Sequence, residues 1–172
     1  MTDAPVARRA VLSIGSNLGD RMVHLQGALD ELAAQGVAVI SVSPVYETAP
    51  VGGPEQDDFL NAVTIVESTL APYDLLATCQ RIEASHDRVR EVRWGPRTLD
   101  VDVIAIDGVT LDDDDLTVPH PRAHERAFVC VPWSDVDPQA RIGDRLLSSL
   151  PLDMSGVVRR DDLTLLIPEV RS

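Results

Sequence analysis

The chain contains no lysine, and all 15 of its basic residues are arginine. This absence excludes several chemistries that depend on a lysine side chain. A phosphate-binding loop of the GxxxxGK[ST] type, the strand lysine of protein kinases, a Schiff base and an SxxK nucleophile all require one. A small phosphate ligand held by a local arginine cluster is not excluded.

Cysteine and long apolar runs are also scarce. The two cysteines, Cys79 and Cys130, lie far apart in apolar stretches (LLATCQRI and AFVCVPW). These surroundings predict reduced core residues rather than a disulfide or a zinc site. No apolar run approaches the ~18 residues of a membrane helix, and no positively charged start precedes an apolar stretch. We therefore expect a soluble, cytoplasmic protein.

Basic residues are outnumbered by acidic ones, 15 against 28, which gives a net charge of −13. This charge repels phosphate polymers and anionic membranes at long range, so neither nucleic acid nor a membrane is an expected partner. A length of 172 residues predicts one compact domain over 1–172, with the polar residues 1–8 as a flexible tail.

Hydrophobic periodicity predicts four strands and two helices in the first part of the chain. The strands are expected at 9–15, 37–48, 60–69 and 99–107, and the helices at 20–35 and 72–88. Pro44 indicates a bulge or an edge position in the second strand. Because no helix separates the second strand from the third, the pattern favours an α+β fold with a mainly antiparallel or mixed sheet covered by helices.

The rest of the chain is predicted to form loops and short elements. The segments APVGGPEQDD (49–58) and DRVREVRWGPRT (87–98) have the composition of surface loops. A helix is expected to start near Arg122 to Arg126, a short helix to form in DRLLSSL (144–150) and a short strand in LTLLI (163–167).

Asp100 and Asp102 are two residues apart in the strand LDVDVIAID, so their carboxylates point to the same face. Two carboxylates this close favour a cation between them. Mg²⁺ fits because it binds one or two protein carboxylates together with waters and substrate phosphates. The alternative is a solvent-facing strand that carries two acids.

Arginines surround this acidic strand in the sequence. Arg88, Arg90, Arg93 and Arg97 precede it, and Arg122 and Arg126 follow it in a second proline-rich segment. Because the guanidinium fork matches phosphate oxygens, such a cluster opposite a metal site suits a polyphosphate. The alternative is ion pairing with surface acids.

Aromatic residues make up only 3% of the chain, yet Phe59, Trp94 and Phe128 fall in or beside these loops. Aromatic rings in such positions can sandwich a flat ring. Asn61 lies two residues after Phe59 at the start of a strand, so it points to the same side and could bind the edge of a heterocycle through its amide. Tyr73 and Trp133 are expected to pack in the core.

Four segments together resemble the 6-hydroxymethyl-7,8-dihydropterin pyrophosphokinase family. They are LSIGSNLGDR (12–21), SPVYETAPVGGPEQDDFLNAV (43–63), QRIEASHDRVREVRWGPRTLDVDV (80–103) and LTVPHPRAHERAFV (116–129). The resemblance implies a ferredoxin-like α+β fold with a mainly antiparallel sheet. It also implies transfer of the pyrophosphoryl group of ATP to the pterin hydroxymethyl group, with release of AMP, in folate biosynthesis. We expect a monomer.

The resemblance further implies roles for individual residues. Asp100 and Asp102 would bind two Mg²⁺ ions and act in catalysis with Arg88 and Arg97. The ATP site would comprise Gln80, Glu83, Arg88, Arg90, Trp94, Arg97, Val103, Thr117, His120 and Arg126. The pterin site would comprise Thr48, Ala49, Val51, Phe59, Asn61, Trp94, Asp100 and Phe128. Residues after about 143 match nothing that the resemblance assigns.

Two other functions remain open from the residues alone. A nucleotide-sugar transferase would bind a metal ion through the same DxD pair, although about 170 residues is small for that class. A non-catalytic module that binds a pterin or a nucleotide would use the same pocket without turnover.

Overall fold

The computed structural model describes residues 5–50, 55–86 and 98–169. The helices are α1 (Arg21–Ala34), α2 (Pro72–His86) and α3 (Ala127–Val136), with short 3₁₀ turns at Ala123–Glu125 and Leu147–Ser149. The strands are β1 (Arg8–Ser16), β2 (Ala38–Val42), β3 (Val45–Thr48), β4 (Phe59–Ser68), β5 (Asp100–Ile106), β6 (Leu111–Asp112), β7 (Thr117–Val118), β8 (Arg141–Ile142), β9 (Arg145–Leu146) and β10 (Val157–Arg160).

The main sheet has the strand order β10-β3-β4-β1-β5, and β2 also pairs with β4. Its strand pairs are antiparallel. Helices cover this sheet, so the predicted α+β class with a mainly antiparallel sheet is confirmed. The described helices include none whose length and apolar character would suit a membrane crossing.

The interruption predicted at Pro44 separates β2 from β3, which both pair with β4. Pro44 has no N–H to donate to the ladder. Ser43 closes the gap, because its N–H donates to the Val63 carbonyl (2.9 Å) and its hydroxyl accepts from the Val63 N–H (2.9 Å). The two strands therefore follow one edge of β4 with a break between them.

The two faces of the sheet carry separate cores, because side chains alternate along each strand. Leu12, Ile14 and Val101 belong to the core that α1 and α2 cover. Val63 and Ile104 belong to the core on the face that α3 covers. Further along this second face lie Ser13, Gly15, Phe59, Asn61, Asp100 and Asp102, and this region forms the site described below.

Two predictions for the last third of the chain are wrong. The segment 144–150 forms β9 followed by a 3₁₀ turn rather than a helix. Residues 163–167 form no strand, since the side chain of Gln26 on α1 binds both the N–H and the carbonyl of Leu166 (2.9 Å each). The helix start predicted near Arg122 to Arg126 is confirmed, because a 3₁₀ turn spans Ala123–Glu125 and α3 begins at Ala127.

The last strand of the sheet, β10, was not predicted. It pairs Val157 with Thr48 and Arg160 with Val45. This strand is largely exposed and contains two arginines, so it lacks the alternating apolar pattern by which half-buried strands are predicted. Glu47 accepts hydrogen bonds from Arg160 (3.3 Å) and from Arg21 (2.7 Å), so ion pairs support this edge of the sheet.

Candidate active site

A cavity of about 690 Å³ opens on the sheet face beyond α3. Its floor comes from β1, β4 and β5, because Gly15 pairs with Asn61 on one side and with Asp100 on the other. In the next row Ser13 pairs with Asp102. The small side chains of β1 therefore leave open space between the amide on β4 and the carboxylates on β5.

Asp100 and Asp102 are half-buried and both line the cavity, as the strand alternation predicted. The residues next to them in sequence, Leu99, Val101 and Val103, are buried in the opposite core. Two carboxylates that face one cavity give it a strongly negative wall.

The opposite charge comes from the segment that follows β7. His120, Arg122 and Arg126 line the same cavity, and the His120 N–H donates to the Ile104 carbonyl of β5 (2.8 Å). This hydrogen bond attaches the basic segment to the strand that carries the acidic pair. Electrostatic coupling of His120 and Arg126 to Asp102 indicates that these three side chains are close together.

His120 is a hydrogen-bond donor in this cavity. Its Nδ1 atom accepts from the Arg122 N–H (3.2 Å), so a neutral ring carries its proton on Nε2. Burial lowers the pKa of His120, and Arg126 and Arg122 lower it further, while Asp102 acts in the opposite direction. The ring is therefore neutral at neutral pH and offers Nε2–H to an anionic ligand.

Arg126 connects the charged part of the cavity with an aromatic ring. Its guanidinium lies 5.5 Å from the centre of the Phe128 ring. Burial lowers the pKa of Arg126, whereas Asp102 and Asp100 raise it. An arginine remains charged under these influences, so it offers a fixed cation beside the acidic pair.

The other end of the cavity is suited to a flat polar ring. Phe59 and Phe128 line it, and Asn61 is almost fully buried between its neighbours. The Asn61 Nδ2 atom donates to the Thr48 hydroxyl (2.6 Å), which fixes the orientation of the amide. A Cβ atom on Gly15 would lie only 2.6 Å from the Asn61 Oδ1 atom, so glycine is required there.

The cavity brings together nine of the residues predicted for the site. They are Thr48, Ala49, Phe59, Asn61, Asp100, Asp102, His120, Arg126 and Phe128. Arg88, Arg90, Trp94, Arg97 and Val51 lie outside the described residues. Their roles stay predictions.

Four further residues predicted for nucleotide binding, Gln80, Glu83, Val103 and Thr117, do not line this cavity. Val103 is buried in the core on the other face of the sheet, and Gln80 is exposed on α2. The Glu83 carboxylate accepts a hydrogen bond from the Val101 N–H (2.9 Å). Contacts of these four residues with a nucleotide stay predictions.

Several lining residues were not predicted for the site. Ser13 and Gly15 belong to it because of the strand register, which the sequence does not reveal. The others are Gln56, Arg122, Glu125, Ala127, Asp153, Ser155, Gly156 and Val157. Of these, only Arg122 gave a signal, through its place in the arginine-rich segment after the acidic strand.

The donor set fits Mg²⁺ better than a metal held by protein ligands alone. Within the described ranges, no group of three or more His, Cys, Asp or Glu side chains could hold a metal ion. Asp100 and Asp102 offer hard oxygen ligands on one wall of a roomy cavity. Two carboxylates that leave space for waters and phosphate oxygens match the usual surroundings of Mg²⁺.

Sequence comparisons show which family the chain matches. The family model of 7,8-dihydro-6-hydroxymethylpterin-pyrophosphokinase matches residues 11–138. The chain is 44% identical over 154 residues to the 2-amino-4-hydroxy-6-hydroxymethyldihydropteridine pyrophosphokinase of Methylorubrum extorquens, covering 88% of this chain and 98% of the relative. It is 40% identical over 149 residues to the enzyme of that name from Bacillus subtilis, covering 86% and 87%.

Solved structures agree on the fold. A crystal structure of HPPK-DHPS from Plasmodium falciparum has a TM-score of 0.68 and 13% sequence identity to this chain. The similarity covers 87% of this chain and 46% of that one, so the chain spans about half the length of this larger protein.

Together, the antiparallel sheet and the cavity that joins an acidic pair to basic and aromatic walls are typical of an enzyme that transfers a phosphate-containing group to a ring-bearing acceptor. The chain belongs to the 7,8-dihydro-6-hydroxymethylpterin-pyrophosphokinase family. The resemblance drawn from the four sequence segments is confirmed.

Proposed function

We propose that this chain transfers the pyrophosphoryl group of ATP to the hydroxymethyl group of 6-hydroxymethyl-7,8-dihydropterin in folate biosynthesis. The products are AMP and the pterin diphosphate. One observation carries this proposal: an acidic pair, a basic wall and an aromatic end with a fixed amide share a single cavity of about 690 Å³. Each of these features suits one part of the two substrates.

Asp100 and Asp102 would hold two Mg²⁺ ions together with the ATP phosphates. When bound, these ions would supply positive charge to balance the charge that develops on phosphate oxygens during transfer. Asp100 also lies in the same row as Asn61, across Gly15, so it is the acid that stands opposite the ring-binding end. From there it orients the acceptor hydroxyl and takes its proton.

The basic wall binds the phosphates. His120 donates from Nε2–H, and Arg126 contributes a cation that stays charged beside the acids. Arg88 and Arg97, to which the family resemblance gives a catalytic role, would add further positive charge during transfer. The acceptor oxygen attacks the β-phosphorus. The bond between the β-phosphorus and the oxygen that bridges it to the α-phosphate breaks, which releases AMP. Catalysis is then positioning and electrostatic stabilisation, with no protein nucleophile.

The aromatic end binds the pterin. Phe59 and Phe128 stack on the ring, and Asn61, held by Thr48, binds its polar edge. Stacking and a preset amide select a flat heterocycle and place its hydroxymethyl group toward Asp100.

The proposal also includes the oligomeric state, the cellular location and the partners of the protein. We propose a monomeric single domain over 1–172 that acts in the cytoplasm without a nucleic acid or membrane partner. The net charge of −13 supports the absence of polyanionic partners.

The metal site is tested by Asp102→Asn, which removes one charge and keeps the size of the side chain. We expect AMP formation to fall by roughly 100-fold or more at saturating Mg²⁺, with an unchanged thermal unfolding midpoint. Asp107→Asn is the matched control, since Asp107 is exposed directly after β5 and does not line the cavity. Wild-type turnover in Asp102→Asn would remove this residue from the metal site.

A further inference from the structure

The C-terminal part of the chain reaches the cavity. Asp153, Ser155, Gly156 and Val157 line it. All four lie after residue 138, where the family match ends. The cavity wall at this point is therefore built by a segment to which the family resemblance gives no role.

This turn is attached to the strand that carries Thr48. The Ala49 N–H donates to the Gly156 carbonyl (3.2 Å), and Val157 pairs with Thr48 in the sheet. Thr48 in turn accepts the hydrogen bond from Asn61 (2.6 Å). A continuous series of contacts thus leads from Gly156 through Ala49 and Thr48 to the amide at the ring-binding end.

The turn also has a fixed internal structure. The Asp153 Oδ1 atom accepts from both the N–H (3.0 Å) and the hydroxyl (2.6 Å) of Ser155. Both bonds fall on Oδ1, so Oδ2 can accept a hydrogen bond from a ligand. These hydrogen bonds lower the pKa of Asp153, which keeps the exposed carboxylate ionised. Gly156 has a φ of +74°, a conformation that L residues rarely adopt.

A carboxylate at this end of the cavity suits the chemistry of a pterin. The pyrimidine edge of the ring carries an amino group and a ring N–H, both hydrogen-bond donors, whereas a phosphate carries only acceptors and negative charge. A fixed carboxylate attracts the N–H donors of the pyrimidine edge and repels a phosphate. The turn therefore favours the acceptor ring over the nucleotide phosphates at this end.

We propose that the turn 153–157 is part of the acceptor site and determines its specificity. Its main chain sets the position of Thr48 and hence of Asn61, and Asp153 Oδ2 accepts a hydrogen bond from the N–H edge of the ring. This proposal rests on the proposed function, because it takes the acceptor to be a pterin.

The positioning part is tested with Gly156→Ala and the control Gly143→Ala. Both glycines have positive φ, but a Cβ atom on Gly156 would meet the Ala49 Cβ at 3.3 Å, whereas one on Gly143 would have no neighbour within 4 Å among the described residues. We expect Gly156→Ala to raise the KM for the pterin about fivefold with an unchanged KM for ATP. Gly143→Ala should keep both values. Equal effects of the two variants would overturn the positioning role.

The carboxylate is tested with Asp153→Asn and the control Asp144→Asn, an exposed acid that does not line the cavity. Calorimetry measures binding of 6-hydroxymethyl-7,8-dihydropterin in the presence of Mg²⁺ and a non-hydrolysable ATP analogue. Loss of one hydrogen bond to a charged group predicts roughly tenfold weaker pterin binding in Asp153→Asn only. Wild-type affinity in this variant would overturn the role of Asp153.

These measurements separate the two proposals. A wild-type protein that binds the pterin without forming AMP would contradict the proposed function, and the calorimetry would still test the turn. A wild-type protein that forms AMP, with variants indistinguishable from their controls, would contradict only the inference about the turn.

Discussion

The Glu83 carboxylate on α2 accepts a hydrogen bond from the N–H of Val101, the single residue between Asp100 and Asp102 (2.9 Å). Among the described strands, β5 pairs with β1 alone and so lies at an edge of the sheet. The N–H of Val101 therefore needs a partner outside the sheet, and a buried N–H without one is costly. Glu83 thus holds the strand segment that presents the two acids to the cavity.

We predict that Glu83→Ala impairs Mg²⁺-dependent turnover because Glu83 positions the acidic segment. Loss of the hydrogen bond frees the acidic segment to shift, so the Mg²⁺ concentration for half-maximal AMP formation should rise about tenfold. Glu83→Gln keeps a carbonyl oxygen that can accept from Val101, and it should restore most of the Mg²⁺ response. Equal Mg²⁺ responses in Glu83→Ala and the wild type would contradict this role.

The absence of a side chain on Gly15 is a second requirement of the site. A Cβ atom there would lie 2.6 Å from the Asn61 Oδ1 atom, so Gly15→Ala must displace the amide. We expect the KM for the pterin to rise by roughly tenfold, as for Asn61→Ala.

Because both changes act through the same amide, their effects should not add. The double variant Gly15→Ala/Asn61→Ala should resemble the single variant Asn61→Ala. Additive losses in kcat/KM for the pterin would show that Gly15 acts by another route.

A histidine pair between α1 and α2 predicts how stability depends on pH. His24 and His86 share a hydrogen bond between their Nδ1 atoms (2.8 Å), and His86 Nε2 lies 2.6 Å from the Glu31 carboxylate. Burial and the neighbouring His86 lower the pKa of His24 below its ordinary 6.5, while Asp20 acts in the opposite direction. The unfolded chain therefore takes up a proton at His24 before the folded protein does.

The contribution of His24 to the free energy of unfolding should be fully present above pH 6.5. It should be lost as the pH decreases toward the lowered pKa of His24. Thermal unfolding between pH 8 and pH 5 measures this loss. His24→Gln should show a shallower decrease than the wild type, whereas His124→Gln, at an exposed position, should keep the wild-type slope. Parallel curves for all three proteins would contradict the account.

Local sequence patterns predicted the parts of the fold that depend on local signals. The buried strands β1, β4 and β5 and the helices α1 and α2 have clear hydrophobic periodicity, and strand alternation placed Asp100 and Asp102 on one face. The parts that depend on long-range pairing were missed. Gly15 enters the site through its register with Asn61, and the turn around Gly156 reaches it because β10 joins the edge of β3.

The most direct test of the central claim identifies the nucleotide product. The protein is incubated with ATP, Mg²⁺ and 6-hydroxymethyl-7,8-dihydropterin, and phosphorus NMR follows the reaction. We expect AMP and pterin diphosphate in equal amounts, formed only when the pterin is present. Formation of ADP, or pterin binding with no product, would contradict pyrophosphoryl transfer, and the second result would favour a non-catalytic binding module.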